Sequence, residues 1–146
     1  LGLKRLPWEK LKELREYCFV ATDGEAQRLD SNLLILPDAQ RRYQDLVRAA
    51  DVVITKPGYG IVADVLAHQT SILYTDRGEF REYPHLVQAL NDLATAEFIR
   101  QDDLLFGDIA PNIARLLNKD QHWPAVPLNG AEMAAKKILA LCDEAH

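Results

Sequence analysis

The chain has 146 residues, of which 48% are hydrophobic and 27% are charged, and its formal net charge is −5. This length suits one domain with a real core, and this balance is typical of a globular protein rather than a disordered one. The acidic charge argues against a nucleic-acid-binding surface, which needs clustered cations. No apolar run reaches the roughly 18–20 residues that cross a bilayer, and no signal peptide is visible. We therefore expect a cytoplasmic domain without a transmembrane segment.

The first half of the chain has the hydrophobic pattern of alternating helices and strands. An amphipathic helix is expected over Leu6–Tyr17, with Pro7 in its first turn, where its missing N–H has no partner in any case. Buried strands are expected over 18–22 and 32–36, with a polar loop between them. A second amphipathic helix is expected over 40–50.

The second half continues the alternation and then becomes helical. The expected elements are strands at 52–54 and 71–74, a helix from 83 or 84 to 93, a weak edge strand at 96–99, a helix after Asp108, a connector over 121–128 and a last helix over 131–143. The last helix is expected to pack Met133, Ile138 and Leu141 against the domain. Cys18 and Cys142 lie far apart and have no partners at metal-ligand spacing, so neither a disulfide nor a metal site is expected.

Strands that alternate with helices predict an α/β fold with a doubly wound, parallel, Rossmann-like sheet. Ligands of such sheets bind beyond the carboxyl ends of the strands. The chain opens on a helix, although these domains normally begin with a strand, and Leu1-Gly2-Leu3 looks like the end of a glycine-containing turn. We therefore expect a single domain that lacks its first strand and is a fragment of a longer protein.

The segment from Ala50 to Leu66 contains a strand, a glycine-bearing turn and the start of a helix. Free amides and the helix dipole favour an anion at such a helix start. Gly58 and Gly60 allow a phosphate to approach the backbone and tolerate a positive φ. Asp64 lies one helical turn beyond Gly60, where its carboxylate can accept two ribose hydroxyls. The spacing alone fits an ordinary βα turn with a solvated acid equally well.

The same segment, read as Ala-Asp-Val-Val-Ile-Thr-Lys-Pro-Gly-Tyr-Gly and followed by Asp64, resembles the carboxyl-terminal half of GT-B glycosyltransferases. The nearest subgroup is family 28, which includes the peptidoglycan N-acetylglucosaminyl transferase. The chain is also similar to the domain that precedes some sugar kinases, including plant arabinose kinases. In the arabinose kinases, the segments that correspond to 56–60 and 80–83 of this chain are especially similar to it. The resemblance is specific from about Leu33 to Ile99 and general elsewhere.

The resemblance implies a bound nucleotide-diphosphosugar, with UDP as the expected nucleotide, and no other cofactor. It implies diphosphate contacts from the amides of Gly58, Tyr59 and Gly60. Apart from the resemblance, Lys56 is a candidate cation for neutralising the diphosphate, because it lies at the end of a strand in the same turn. Asp64 stands where family members have a Glu that holds the ribose hydroxyls. Three further residues lie in the loop that faces the donor sugar: Asp76, Arg77 and Glu82. The catalytic base and the acceptor pocket usually belong to an amino-terminal domain, so this chain alone is expected to bind a donor without transferring sugar.

Several alternatives stay open on the sequence. Lys56 is as often a solvated turn residue, and Arg77 can be held in an internal ion pair with Asp76 or Glu79. Asp76 and Glu82 as a glycoside-hydrolysing pair are disfavoured, because spacing does not set their separation. The domain is either the donor half of a glycosyltransferase or a non-catalytic binding or regulatory domain attached to another enzyme such as a sugar kinase. The weakest alternative is a doubly wound domain that binds no nucleotide.

Overall fold

A computed structural model describes residues 6–22, 27–37 and 42–144 of the chain. These residues form interspersed helices and strands as far as the sixth strand, and helices alone after it. In chain order the elements are α1 (Trp8–Glu13), β1 (Phe19–Thr22), β2 (Gln27–Asp30), β3 (Leu33–Leu36), α2 (Tyr43–Ala49), β4 (Val52–Thr55), α3 (Tyr59–His68), β5 (Ser71–Tyr74), α4 (Tyr83–Leu93), β6 (Ala96–Phe98), α5 (Gln101–Phe106), α6 (Ala110–Leu117) and α7 (Gly130–Glu144).

The strands form two three-stranded sheets. The first has the order β1-β3-β2, in which β1 runs parallel to β3 and β2 runs antiparallel to it. The second has the order β4-β5-β6 and is parallel throughout, with Val52 opposite Ser71 and Ile72 opposite Ala96. The predicted Rossmann-like α/β class is confirmed. The parallel strands, however, lie in two sheets rather than in one continuous sheet.

The second sheet has a hydrophobic cluster on each of its faces. Ile72 and Tyr74 pack with side chains from α2, α3 and α4, whereas Leu73 packs with side chains from α1, α5 and α6. This division follows from β geometry, because successive side chains of a strand point to opposite faces. All four residues of β5 are buried, so β5 is the central strand of the core.

The first helix is shorter than predicted because a buried asparagine ends it. The prediction runs to Tyr17, but α1 ends at Glu13. The side-chain amide of Asn32 donates to the carbonyls of Leu11, Leu14 and Tyr17, at 3.2, 3.0 and 3.3 Å. These carbonyls thereby find a donor outside the helix, and the chain turns into β1.

Two elements, β2 and α5, are absent from the sequence prediction, which has a polar loop at β2. β2 reads Gln-Arg-Leu-Asp and lies at the outer edge of its sheet, so it lacks the apolar alternation that identifies a strand. α5 has six residues, which is too short for a helical period, although it buries Leu104 and Leu105.

The last helix does not pack as predicted. Met133, Ile138 and Leu141 are 59%, 61% and 58% exposed, and every side chain of α7 that the structure describes is exposed. The prediction that these residues lie against the domain is therefore wrong. A helical period shows which residues share a face, but it does not show what covers that face.

Candidate anion site at the β4–α3 turn

The turn between β4 and α3 leaves the first amides of a ten-residue helix without acceptors. Gly58 is the N-cap residue, and no side chain forms a capping hydrogen bond there. The first bond of the helix runs from the Val62 N–H to the Gly58 carbonyl, at 3.0 Å. The amides of Tyr59, Gly60 and Ile61 therefore have no acceptor within the helix. Such amides, together with the helix dipole, are suited to an anion.

The turn after β5 meets this helix start and brings a cation to it. The Thr75 N–H donates to the Thr55 carbonyl at 3.1 Å, which joins the ends of β4 and β5. Two residues later, Nη1 of Arg77 donates to the Pro57 carbonyl at 2.8 Å. The guanidinium carbon lies 4.2 Å from the centroid of the Phe80 ring. Arg77 is therefore held by Pro57 and Phe80, and not by an ion pair with Asp76 or Glu79 in the described contacts.

Arg77 lies directly against the N-cap glycine of α3. A Cβ built on Gly58 would stand 2.7 Å from Nη1 of Arg77. The positive charge is thus placed at the positive end of the helix dipole, which is an unfavourable pairing by itself. An anion at this position would relieve that repulsion, and it would receive hydrogen bonds from the free amides of α3 and from the Arg77 guanidinium.

The two glycines of the turn differ in backbone conformation and in surroundings. Gly58 has φ −150° and ψ 161°, which is extended backbone, and Gly60 belongs to α3. Among the described glycines, the positive φ occurs at Gly78, at 70°. Neither Gly58 nor Gly60 therefore adopts the positive φ that a glycine tolerates. At Gly58 the absent Cβ makes room for Arg77, whereas a Cβ at Gly60 would meet nothing within 4 Å.

Asp64 lies on α3, which contacts α2, and its side chain is half-buried. Burial raises the pKa of Tyr43, the first residue of α2, and the negative charge of Asp64 raises it further. The structure therefore brings Asp64 within electrostatic range of the Tyr43 hydroxyl. Tyr43 is a neighbour of Asp64 that sequence reasoning missed, because the pattern over 40–50 indicated only an amphipathic helix.

The other predicted site residues lie around the two turns. Oδ1 of Asp76 accepts the Gly78 N–H at 3.3 Å, which closes the loop that contains Arg77. Burial raises the pKa of Tyr83, and the nearby Tyr74 and Asp76 raise it further. Glu82 precedes α4, and its carbonyl accepts the N–H groups of two residues in the first turn. In the β4–α3 turn itself, Lys56 is half-buried and Tyr59 is 63% exposed.

An open cavity of about 460 Å³ lies beside this site. None of the eight predicted site residues lines it, but Phe80, which contacts Arg77, does. Its lining residues are Gly78, Glu79, Phe80, Arg81, Tyr83 and Pro84. Sequence reasoning did not assign this cavity, although the segment at 80–83 was one of those that carried the family resemblance.

The described part of the chain contains no group of three or more His, Cys, Asp and Glu side chains that could hold a metal ion. Within the same residues, no helix combines the length and the apolar character that a membrane span requires.

The fold defines the class as a Rossmann-like α/β domain, and its β4–α3 turn lies at the carboxyl end of β4. The chain is similar to L-arabinokinase of Arabidopsis thaliana, with 29% identity over 119 residues. The alignment covers 81% of this chain and 11% of the kinase, so the chain spans about a tenth of that relative's length. No protein-family model and no solved structure matches the chain. The predicted similarity to sugar kinases is confirmed, whereas membership of glycosyltransferase family 28 stays a prediction.

Proposed function

We propose that this domain binds a nucleotide-diphosphosugar, with UDP as the nucleotide, and that it serves as a binding domain within a longer, sugar-kinase-like protein. The similarity to L-arabinokinase supports the second part of the proposal. The observation that carries the first part is the position of Arg77, whose guanidinium lies against Gly58 at the uncapped start of α3.

In this proposal the diphosphate is held from two directions. The amides of Gly58, Tyr59 and Gly60 donate to it from the helix start, where the dipole favours negative charge. Arg77 donates from the turn after β5, and charge-assisted hydrogen bonds of this kind are stronger than neutral ones. Lys56, in the same turn, neutralises further charge.

The remaining predicted residues are assigned to the ribose and the sugar. Asp64 accepts the ribose hydroxyls, with Tyr43 beside it on α2. Asp76 and Glu82 flank the sugar, which extends along the loop toward the open cavity.

The donor half of a glycosyltransferase would use the same contacts. In that role the helix amides and Arg77 would stabilise the charge that develops on the departing diphosphate. An acceptor domain would also be required. Sugar transfer from a UDP-sugar by the full-length protein, measured against a panel of acceptors, distinguishes this role from binding alone.

Calorimetric titration with UDP tests the proposal. We expect micromolar binding by the wild type. Arg77→Ala should weaken it by about 10- to 100-fold, which corresponds to roughly 1.5–3 kcal/mol for a charge-assisted hydrogen bond. The matched control is Arg48→Ala, which removes one exposed cation from the last turn of α2, and this variant should bind as the wild type does. Absence of UDP binding by the folded wild type, or equal losses in both variants, would contradict the proposal.

A further inference from the structure

A second cavity, of about 310 Å³, lies between α1 and the α5–α6 junction, which comprises residues 107–109. Leu11 and Ile109 line this cavity and pack in the same hydrophobic cluster as Leu73. The side chains of α3 pack in the cluster on the other face of the second sheet. The cavity is therefore separate from the β4–α3 turn and from the proposed nucleotide site.

The inner surface of this cavity is apolar. Leu11 and Ile109 are 6% and 4% exposed, and Pro7 and Leu14 are half-buried beside them. Such a surface favours contact with carbon atoms over contact with water. The volume is at the lower end of the roughly 300–1,000 Å³ that is usual for ligand sites. The cavity therefore suits a small molecule or a single side chain that has an aliphatic part.

The charged groups at the opening of the cavity include two exposed carboxylates. Glu13 comes from α1 and Asp108 from the α5–α6 junction. Neither forms an ion pair within the part of the chain that the structure describes. Oδ1 of Asp108 accepts the Ala110 N–H at 3.0 Å, and this neutral donor leaves the negative charge of the carboxylate unbalanced. The opening therefore attracts a cation.

Lys10 also lines the cavity, but its charge is directed elsewhere. Its Nζ donates to the Gly107 carbonyl at 3.2 Å and to the Phe106 carbonyl. These carbonyls lie at the carboxyl end of α5, where a helix favours a positive charge. Lys10 forms no ion pair with either carboxylate of the opening among the described contacts. The cavity thus contains a lysine and still has two carboxylates without a cation.

The wall at the α5–α6 junction is formed before any ligand binds. The Gly107 N–H donates to the Asp103 carbonyl at 2.9 Å. A Cβ on Gly107 would stand 2.6 Å from the same carbonyl oxygen, so only glycine lets the end of α5 close this tightly. The two hydrogen bonds from Lys10 hold the junction against α1. A ligand therefore does not have to order this wall, which reduces the free-energy cost of binding.

We propose that this cavity binds a small alkylammonium ion. Its carbon chain lies on the apolar inner surface, and its ammonium group donates hydrogen bonds to Glu13 and Asp108. An alcohol of the same length would leave the two carboxylates without a cation, and a carboxylate ligand would meet two like charges. The ammonium group belongs to a free amine or to the lysine side chain of another polypeptide, which present the same chemistry to the cavity.

Three probes of similar length and different charge test the proposal at constant ionic strength: n-butylammonium, 1-butanol and n-butyrate. We expect n-butylammonium to shift the amides of residues 10–14 and 107–110 saturably in a ¹⁵N-labelled sample. 1-Butanol should bind about five- to tenfold more weakly, because exposed ion pairs contribute little each, and n-butyrate should bind more weakly still. Equal affinities for the ammonium ion and the alcohol, strongest binding of n-butyrate, or no saturable shift with n-butylammonium would overturn the proposal.

Two substitutions remove the carboxylate charges while keeping the size of the side chains. Glu13→Gln and Asp108→Asn should each weaken n-butylammonium binding about two- to fivefold, and asparagine still caps the start of α6. The double variant should bind n-butylammonium no better than the wild type binds 1-butanol. The matched control is Glu16→Gln, an exposed acid that does not line the cavity, and this variant should bind as the wild type does. Unchanged binding by the double variant, or an equal loss in the control, would overturn the proposal.

The two sources of the ammonium group are distinguished by Nα-acetyl-lysine N-methylamide, which carries the lysine side chain on a blocked backbone. If this compound binds as tightly as n-butylammonium, the cavity accepts a lysine side chain of another polypeptide. If n-butylammonium alone binds, the ligand is a free amine. Binding of the lysine derivative that is the same in the wild type and in the double variant would show that the carboxylates play no part, and would overturn the proposal.

Discussion

Gly58 leaves room for the Arg77 guanidinium, and this contact makes two neighbouring glycines differ in their tolerance of substitution. Gly58→Ala places a methyl group 2.7 Å from Nη1 of Arg77, which is the far end of a flexible side chain. The extended φ of Gly58 suits alanine, so the variant should lose less than about 1 kcal/mol of unfolding free energy. Its UDP affinity should nevertheless fall, because Arg77 is displaced. Urea unfolding and calorimetry measure the two effects separately.

Gly60→Ala is the matched control for that substitution. A Cβ at Gly60 meets nothing within 4 Å, and the residue lies in the first turn of α3. The variant should gain about 0.5 kcal/mol of unfolding free energy, because alanine is the better helix former. A loss of stability at position 60 larger than the loss at position 58 would contradict the geometry of the turn.

The lowered pKa of Asp30 leads us to expect that the fold loses stability in acid. Hydrogen bonds from Arg15 and then from Ser31 hold the pKa of Asp30 at about 2, below its ordinary value of 3.8. The ionised carboxylate therefore stabilises the fold above pH 3.8, and this contribution is lost as the pH falls toward about 2. Asp30→Asn should be less stable than the wild type at pH 5, and the difference should shrink toward pH 2. Urea midpoints across this range measure it.

The control for the acid experiment is Asp51→Asn, at an exposed carboxylate just before β4. Its stability should stay parallel to that of the wild type over the same pH range. If the urea midpoints of Asp30→Asn and the wild type differ by the same amount at every pH, the ion pair with Arg15 adds nothing to the stability of the fold.

At the scale of elements, one buried side chain fixes the junction between α1 and β1. Asn32→Ala removes the hydrogen bonds that the side-chain amide donates to the carbonyls of Leu11, Leu14 and Tyr17, of which the first two keep backbone N–H donors. We expect a loss of about 2–3 kcal/mol in unfolding free energy. Asn118→Ala is the control, because its amide donates to the Ala114 carbonyl at 2.8 Å on an exposed helix end. That variant should lose less than about 1 kcal/mol. Equal losses would contradict the role given to Asn32.

The elements that could be predicted from the sequence are those with an apolar pattern and clear boundaries. β4 differs from its prediction by one residue, β5 matches its prediction, and α3 begins within two residues of the predicted start. β2 could not be predicted, because a polar outer strand has no periodic apolar face. The exposure of α7 could not be predicted either, since its apolar positions carry no information about a partner surface.

At the scale of the whole molecule, the sequence predicted the Rossmann-like class and a ligand position beyond the carboxyl ends of its strands, where the turns after β4 and β5 meet. Neighbouring parallel strands end at the same edge of a sheet, so the turns that follow β4 and β5 must lie side by side. The division into two sheets could not be predicted, because it depends on which strands become neighbours. The contact of Arg77 with Phe80 could not be predicted, because a loop sequence does not set the direction of a side chain.

The most direct test of the proposed site is a UDP titration followed by amide chemical shifts in a ¹⁵N-labelled sample of the chain. We expect saturable shifts that are largest at the amides of Gly58, Tyr59 and Gly60, with the Arg77 side chain also affected. Uridine without phosphate should shift these amides far less, because the diphosphate makes the contacts to the helix start. Unchanged amides at 58–60 in the presence of UDP, or saturable shifts confined to another part of the domain, would contradict the account.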